Sequence, residues 1–282
     1  MTDVGRYEVL PVETDRASLA SYIDLFTASF GSTDITPEFL DWQYNQNPLG
    51  RVIGYNAFLN GELAAHYVVI PTQARLAGQL TRGLLSLNTA THPVHQKRGL
   101  FPTLAEMTYS RGHELGHEFV IGVASQNSFY GLTKKLGFQN VGRLDTRFVL
   151  ALRTREPSGT LDYIGEWTPE TTRWRMSNPR VRYSVKNLGK VAQIHGRSRR
   201  FPTLVGQIPA DCVPDGFEQP GIIPIKLWVG MDCRIDSSRL VQASVPWHLR
   251  PVPLTLTFRD LAGKRKIDRR STVFWTMDFD GY

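Results

Sequence analysis

Cysteine is nearly absent from this chain of 282 residues. Only Cys212 and Cys233 occur, with neither the spacing of a metal site nor the density of a disulfide scaffold, so both are excluded as organising features and the thiols read as idle. Long apolar runs are missing too: none approaches the ~20 residues that a membrane-spanning helix requires. The opening Met-Thr-Asp-Val-Gly-Arg lacks a basic segment followed by an apolar core. A cytoplasmic protein without a membrane partner is the expectation. Acidic residues are in short supply, 26 against 33 basic, which leaves a net charge of +7 and favours a polyanionic partner: nucleic acid, an anionic surface or a phosphorylated cofactor. With 41% hydrophobic and 21% charged residues the chain is an ordinary folded protein, long enough for one large or two ordinary domains.

Strand and helix patterns alternate through the first half. Tyr7 to Val12 is strand-like. Asp15 stands as a cap before Leu19, Tyr22, Ile23, Phe26 and Phe30, which recur at helical spacing up to Gly31. Thr36-Pro-Glu38 opens a second helix, expected to end near Asn47-Pro48. Tyr55–Leu59 and Leu63–Ile70 flank Asn60-Gly61, a hairpin-turn pair, and Arg75 to Gln79 reads as another turn. Next come a strand over Gly83–Ala90, a helix over Phe101–Leu115, a strand over Phe119–Val123, a helix over Ser128–Leu136 closed by Gly137, and one or two strands over Val141–Leu152. The pattern predicts an α/β fold, a mixed central sheet flanked by helices.

Between the strand ending at Ala90 and the helix from Phe101 runs Thr91-His-Pro-Val-His-Gln-Lys-Arg-Gly-Leu-Phe101. The first amides of a helix have no partner within it, and the helix end carries roughly half a positive charge, so a phosphate satisfies both. Lys97 and Arg98 add full charges. On loop chemistry alone a solvated turn before a helix is the slightly favoured reading; the residues downstream of the loop shift the balance to the anion site.

The succession of strand, Gln96-Lys-Arg-Gly99-Leu-Phe101, helix, strand, Asn127, helix and Lys135-Leu-Gly-Phe138 resembles the GNAT superfamily of acyl-CoA-dependent N-acyltransferases, over roughly residues 5 to 152. The resemblance implies acetyl-CoA as co-substrate. Its pyrophosphate would rest on the amides of Gln96, Lys97, Arg98, Gly99, Leu100 and Phe101, and its pantetheine arm would pair with backbone groups of Thr89 and Thr91, with Asn127 as a further cofactor contact. Phe101 departs from the pattern, since a small residue is usual there. The family's acid is commonly a tyrosine two residues before the lysine of Lys-x-Gly-Phe. That position is Thr133, and Tyr130, three residues earlier on nearly the same helix face, is the candidate acid, with packing against the core as the equal alternative. His92 is the candidate base, although a histidine before proline at a strand end is more often structural. His66 and Glu62 are weaker candidates, and a water relay would need no dedicated side chain, so the base stays unassigned.

Thr168-Pro-Glu170 and Trp174 repeat Thr36-Pro-Glu38 and Trp42 at an offset of 132 positions, and Asn178-Pro179 echoes Asn47-Pro48. This reads as an internal duplication. Domains are therefore expected at 1–156, with the cofactor, and 157–282, a degenerate GNAT-like half. No counterpart of the basic loop occurs in Ile225–Ile235. One cofactor site per chain is implied, with the second half shaping the acceptor site or an interface. Gly196–Arg200 and Lys264–Arg270 are basic clusters read as solvated turns, with contact to a phosphate of the acceptor as the alternative and a nucleic-acid partner as the less favoured reading. Arg250–Leu254 and Trp275–Tyr282 read as a docked tail, with Asp278 and Asp280 on a solvated strand face or, alternatively, binding an ammonium group. A looser resemblance to two-part bacterial GNAT proteins implies a primary amine on a small polar acceptor, including a nucleotide-linked amino sugar. The alternatives are a non-catalytic acyl-CoA binder and, on charge alone, a nucleic-acid-binding module.

Overall fold

Asp15 opens the first helix by accepting from the amides of Ala17 and Ser18, and Gly31 closes it at φ +85°. Local chemistry of this kind places most elements of the first half in the computed structural model, which describes residues 3–31, 33–150, 152, 154–197, 202–217, 225–235, 242–244 and 253–280. The first half runs β1 (Glu8–Pro11), α1 (Arg16–Phe30), α2 (Pro37–Asn45), β2 (Ile53–Leu59), β3 (Glu62–Leu76), β4 (Gln79–Thr91), α3 (Leu100–Glu114), β5 (Phe119–Ala124), α4 (Gln126–Tyr130), β6 (Gln139–Arg143) and β7 (Asp145–Val149). The second half runs β8 (Tyr163–Gly165), α5 (Pro169–Met176), β9 (Arg182–Asn187), β10 (Val191–Arg197), β11 (Pro202–Pro209), β12 (Lys226–Asp232), β13 (Gln242–Ser244), β14 (Thr255–Asp260) and β15 (Thr272–Trp275).

The turn between β2 and β3 has Asn60 and Gly61 both at positive φ, which is what a two-residue hairpin turn needs. α1 and α2 pack on one face of the first sheet with Phe26, Leu40 and Val68, and α3 packs on the other with Leu100, Leu104 and Tyr67.

The two halves exchange strands. β14 inserts between β5 and β6, antiparallel to both, while β7 crosses over to pair with β12 and β13. Strands therefore cross the expected 156/157 boundary in both directions. β8 and β15 then join β3 to β12, so that one continuous mixed sheet runs through the chain.

The two tryptophans of the repeated segments are in contact. Trp42 donates its indole N–H to the carbonyl of Trp174 at 2.8 Å, Trp174 returns the bond to the carbonyl of Trp42 at 3.0 Å, and the rings stack at 5.1 Å. The repeated tryptophans thus sit on a local two-fold axis. Beside them Arg175 lies over the Trp174 ring and pairs with Asp280; both side chains are buried.

Each half contains a parallel pair that splits. β4 pairs with β5 from Gly83 to Ser86 and then diverges, and β11 pairs with β12 only at Thr203 and Leu204. In the first half the split is open. In the second it is filled: β15 pairs with Gly230–Asp232 of β12 on the β11 side, and Met277 packs where a Cβ on Gly206 would stand.

Asp278 and Asp280 do not lie on a solvated strand face. Asp280 is consumed by Arg175, and burial pushes the Asp278 carboxyl up to about 7 against the opposing hydrogen bond from the Trp275 amide. The folded chain keeps that proton up to about pH 7 while the unfolded chain releases it near 3.8, so Asp278 lowers stability as pH rises across this window. Asp278→Asn is expected to gain melting temperature over the parent chain progressively from pH 4 to 7 and to hold a constant advantage above that. A pH-independent difference would rule out this role. The Lys264–Arg270 cluster is partly neutralised, Arg265 by Asp260 and Glu118 and Arg269 by Asp145. The remainder of the Gly196–Arg200 cluster beyond Arg197, residues 250–252 and residues 281–282 lie outside the described residues.

Candidate active site

The open split holds a cleft of about 860 Å³. Its mouth is the basic loop. After a single helical turn over Pro93–His95, Lys97 takes φ +62° and Gly99 φ +87°, and Gly99 caps α3 with its backbone alone. The left-handed turn at Gly99 points the first amides of α3 outward, the geometry in which a phosphate is received. Pro102 sits in that first turn, where a missing N–H costs nothing. His95, on the turn that carries the loop, is tied through Nδ1 to the Tyr7 hydroxyl at 2.9 Å, and burial, with His92 and Arg98 nearby, holds its pKa below the usual range.

Phe101, out of pattern in the sequence, has a physical explanation. Its ring packs 5.7 Å from Tyr67, and a Cβ on Gly131 would come within 2.6 Å of it, so Gly131 provides the room that a small residue at 101 would otherwise leave.

Of the residues singled out from sequence, the cleft brings together Thr89, Thr91, Gln96, Lys97, Gly99, Leu100, Phe101, Asn127 and Tyr130. Arg98 and His92 are not among its lining residues. The Arg98 guanidinium reaches back to the Val94 carbonyl. His92 donates its backbone N–H to Ala64 across the sheet, and its Nδ1 is buried without a hydrogen-bond partner. Thr133 spends its hydroxyl on the Phe129 carbonyl. Tyr130 stands 65% exposed at the cleft wall. The segment after it, Gly131–Lys135, is wound as a π-helix, which alters the phase between Tyr130 and Thr133 that an α-helical count assumes.

Sequence reasoning missed three groups of lining residues. Ser86 marks the point where β4 leaves β5, and its hydroxyl hydrogen-bonds that of Tyr67 at 2.7 Å; burial pushes the Tyr67 phenol up to about 12. Lys135, quoted only as part of a motif, adds a second cation to the cleft. Phe26, Phe30, Ile35 and Leu254 form an apolar wall; the first three come from α1 and the connection to α2, and their helical spacing gave no sign that the stripe extends past the core.

His66, a weaker base candidate, is fully buried. It lies between Asn56 at 2.7 Å and Tyr44 at 3.1 Å, with its pKa driven to about 3 by burial, so it is a neutral structural group.

A split parallel pair, a glycine-capped helix N-terminus at its mouth and cations beside it make up the cleft between β4 and β5. Residues 13–139 match the acetyltransferase (GNAT) domain family, and this part of the chain is a GNAT domain. Among solved structures, a GCN5-related N-acetyltransferase from Kribbella flavida is similar over 92% of this chain and 73% of its own, at 12% identity and TM-score 0.59. A GCN5-related N-acetyltransferase from Anabaena variabilis matches over 90% and 73%, at 10% identity and TM-score 0.58. A protein of Enterococcus faecalis described as a probable N-acyltransferase covers 91% and 73%, at 9% identity and TM-score 0.56. These likenesses extend over both halves and concern the fold. No curated protein sequence matches the chain.

Proposed function

We propose that the chain transfers an acetyl group from acetyl-CoA directly to a primary amine on a small polar acceptor, a nucleotide-linked amino sugar being one candidate. The observation that carries the reading is the open β4/β5 split with Gln96–Phe101 at its mouth. Phosphates on that loop direct the pantetheine arm along Thr91 and Thr89, which lie past the last β4–β5 pair and whose backbone groups do not pair with β5. The thioester then reaches the apex near Ser86 and Asn88. When bound, the co-substrate supplies the activated acyl group.

The attacking amine must be neutral. At the apex it meets Phe26, Phe30, Ile35 and Leu254, while the polar body of the acceptor extends outward. Apolar surroundings disfavour an ammonium and lower its pKa, which serves the purpose of a base without a dedicated side chain. Holding both reactants side by side contributes much of the acceleration. Tyr130, on the cleft wall, is the proposed donor of the proton to the departing thiolate.

Thiol release from acetyl-CoA across a panel of primary amines tests the activity, and a chain that binds CoA but releases no thiol with any amine would instead be a binder. Tyr130→Phe is expected to lower kcat by about tenfold to a hundredfold while CoA affinity is retained. An unchanged kcat with chemistry rate-limiting would place the acid elsewhere.

A further inference from the structure

Asn88 stands inside β4 at φ +46°, a left-handed conformation uncommon for a side-chain-bearing residue in a strand. The register with β3 slips here: Val68 faces Leu87, but His66 faces Ala90. Three steps along β4 match two along β3, so this is a bulge, and its extra residue is released from the ladder. It begins just past Ser86, the last residue of β4 paired with β5, and so forms the apex of the cleft.

The bulge is fastened from behind. The Asn88 amide donates to Gln43 Oε1 at 2.6 Å and to the Tyr44 hydroxyl at 3.0 Å. Tyr44 in turn reaches His66, whose neutral ring accepts at Nε2 because Nδ1 faces the Asn56 oxygen. Gln43 donates to Asp280 Oδ2 at 3.3 Å. Asp280 belongs to the last described segment of the second half, where it pairs with Arg175 and accepts from Asn178 at 3.5 Å. Gln43 is only 2% exposed, so this line of polar groups runs inside the molecule, from the tail of one half to the cleft of the other. A glutamine that is buried and bonded at both ends has its orientation fixed, since turning the amide over would break both bonds.

We propose that Gln43, held by Asp280, is a positioning residue for the acyl group: through Asn88 it sets the β4 bulge, and with it the backbone groups released there, against the thioester. The proposal rests on the acyl-CoA reading of the cleft. In it the second half shapes the reacting end of the first through this tie, while the pyrophosphate loop, at the other end of the cleft, is independent of it.

Titrations with acetyl-CoA and with CoA separate these two ends without knowledge of the acceptor. Gln43→Leu, which keeps the site filled, is expected to weaken acetyl-CoA by about fivefold, the worth of roughly one hydrogen bond, and to leave CoA within about twofold. Asn88→Gly, which takes the left-handed conformation readily but cannot be tied, is expected to do the same. The double variant should then lose nothing beyond Asn88→Gly. Unchanged acetyl-CoA binding in Gln43→Leu, equal loss for both ligands, or a further loss in the double variant would each overturn the proposal while leaving the cofactor site intact. Failure of the unaltered chain to bind CoA would overturn the site reading and the proposal with it.

Discussion

Lys97→Glu is expected to weaken CoA binding by about tenfold to a hundredfold, roughly 1.4–2.8 kcal/mol, in a chain that melts where the parent does. Lys97 lines the mouth of the cleft, is exposed, and takes φ +62° with either side chain, so reversal changes the charge next to the pyrophosphate and little else. Raising the salt should narrow the difference, because the pair is solvent-accessible and screened. Arg98→Glu provides the contrast. Its guanidinium turns to the Val94 carbonyl and is not among the lining groups, so its effect should be the smaller of the two. Isothermal titration decides, and an affinity for CoA unmoved by Lys97→Glu would remove the loop from the cofactor site.

Trp174→Ala is expected to cost about 3–5 kcal/mol of stability, the range for deleting a large aromatic from a core. The figure is supported by what the ring does. It stacks on Trp42, donates to Trp42's carbonyl and carries the Arg175 guanidinium at 4.5 Å. Truncation would therefore open a cavity, orphan a carbonyl and uncover a buried cation together. Trp174→Phe keeps one ring against Trp42 but loses the second ring and the indole N–H, so it should cost less than the alanine, about 1–3 kcal/mol. Urea unfolding of both variants measures this, and a loss below about 1.5 kcal/mol for the alanine would show that the two-fold contact is peripheral.

What the sequence revealed and what it concealed divide along physical lines. Asp15, Thr36, Asn60-Gly61 and Gly137 were legible because caps and tight turns are written in a few neighbouring residues. The basic loop was legible because an anion site at a helix start is equally local. The repeated tryptophans were seen as a repeat, whereas their reciprocal hydrogen bonds were not, since nothing in spacing says that two copies face one another. His92 and Arg98 stand out in the sequence by chemistry and charge, yet which way a loop side chain turns depends on the packing around it. Asp278 and Asp280 alternate like residues of a solvated strand; the buried Arg175, a hundred residues away, changes their meaning. Strand exchange was the least legible feature, because β14 and β7 are ordinary strands and only their distant partners show where they belong.

That exchange has a consequence for how the chain is made. On a ribosome the first 143 residues emerge with every element of the first half up to β6, but β5 and β6 cannot close on one another until Thr255–Asp260 has been synthesised. At about 5–20 residues per second the edge of β5 waits several seconds at least. Until then that edge is open to pairing with another chain, and an expression system that slows elongation through residues 125–260 or is starved of chaperones should yield aggregates seeded by this one unfinished seam.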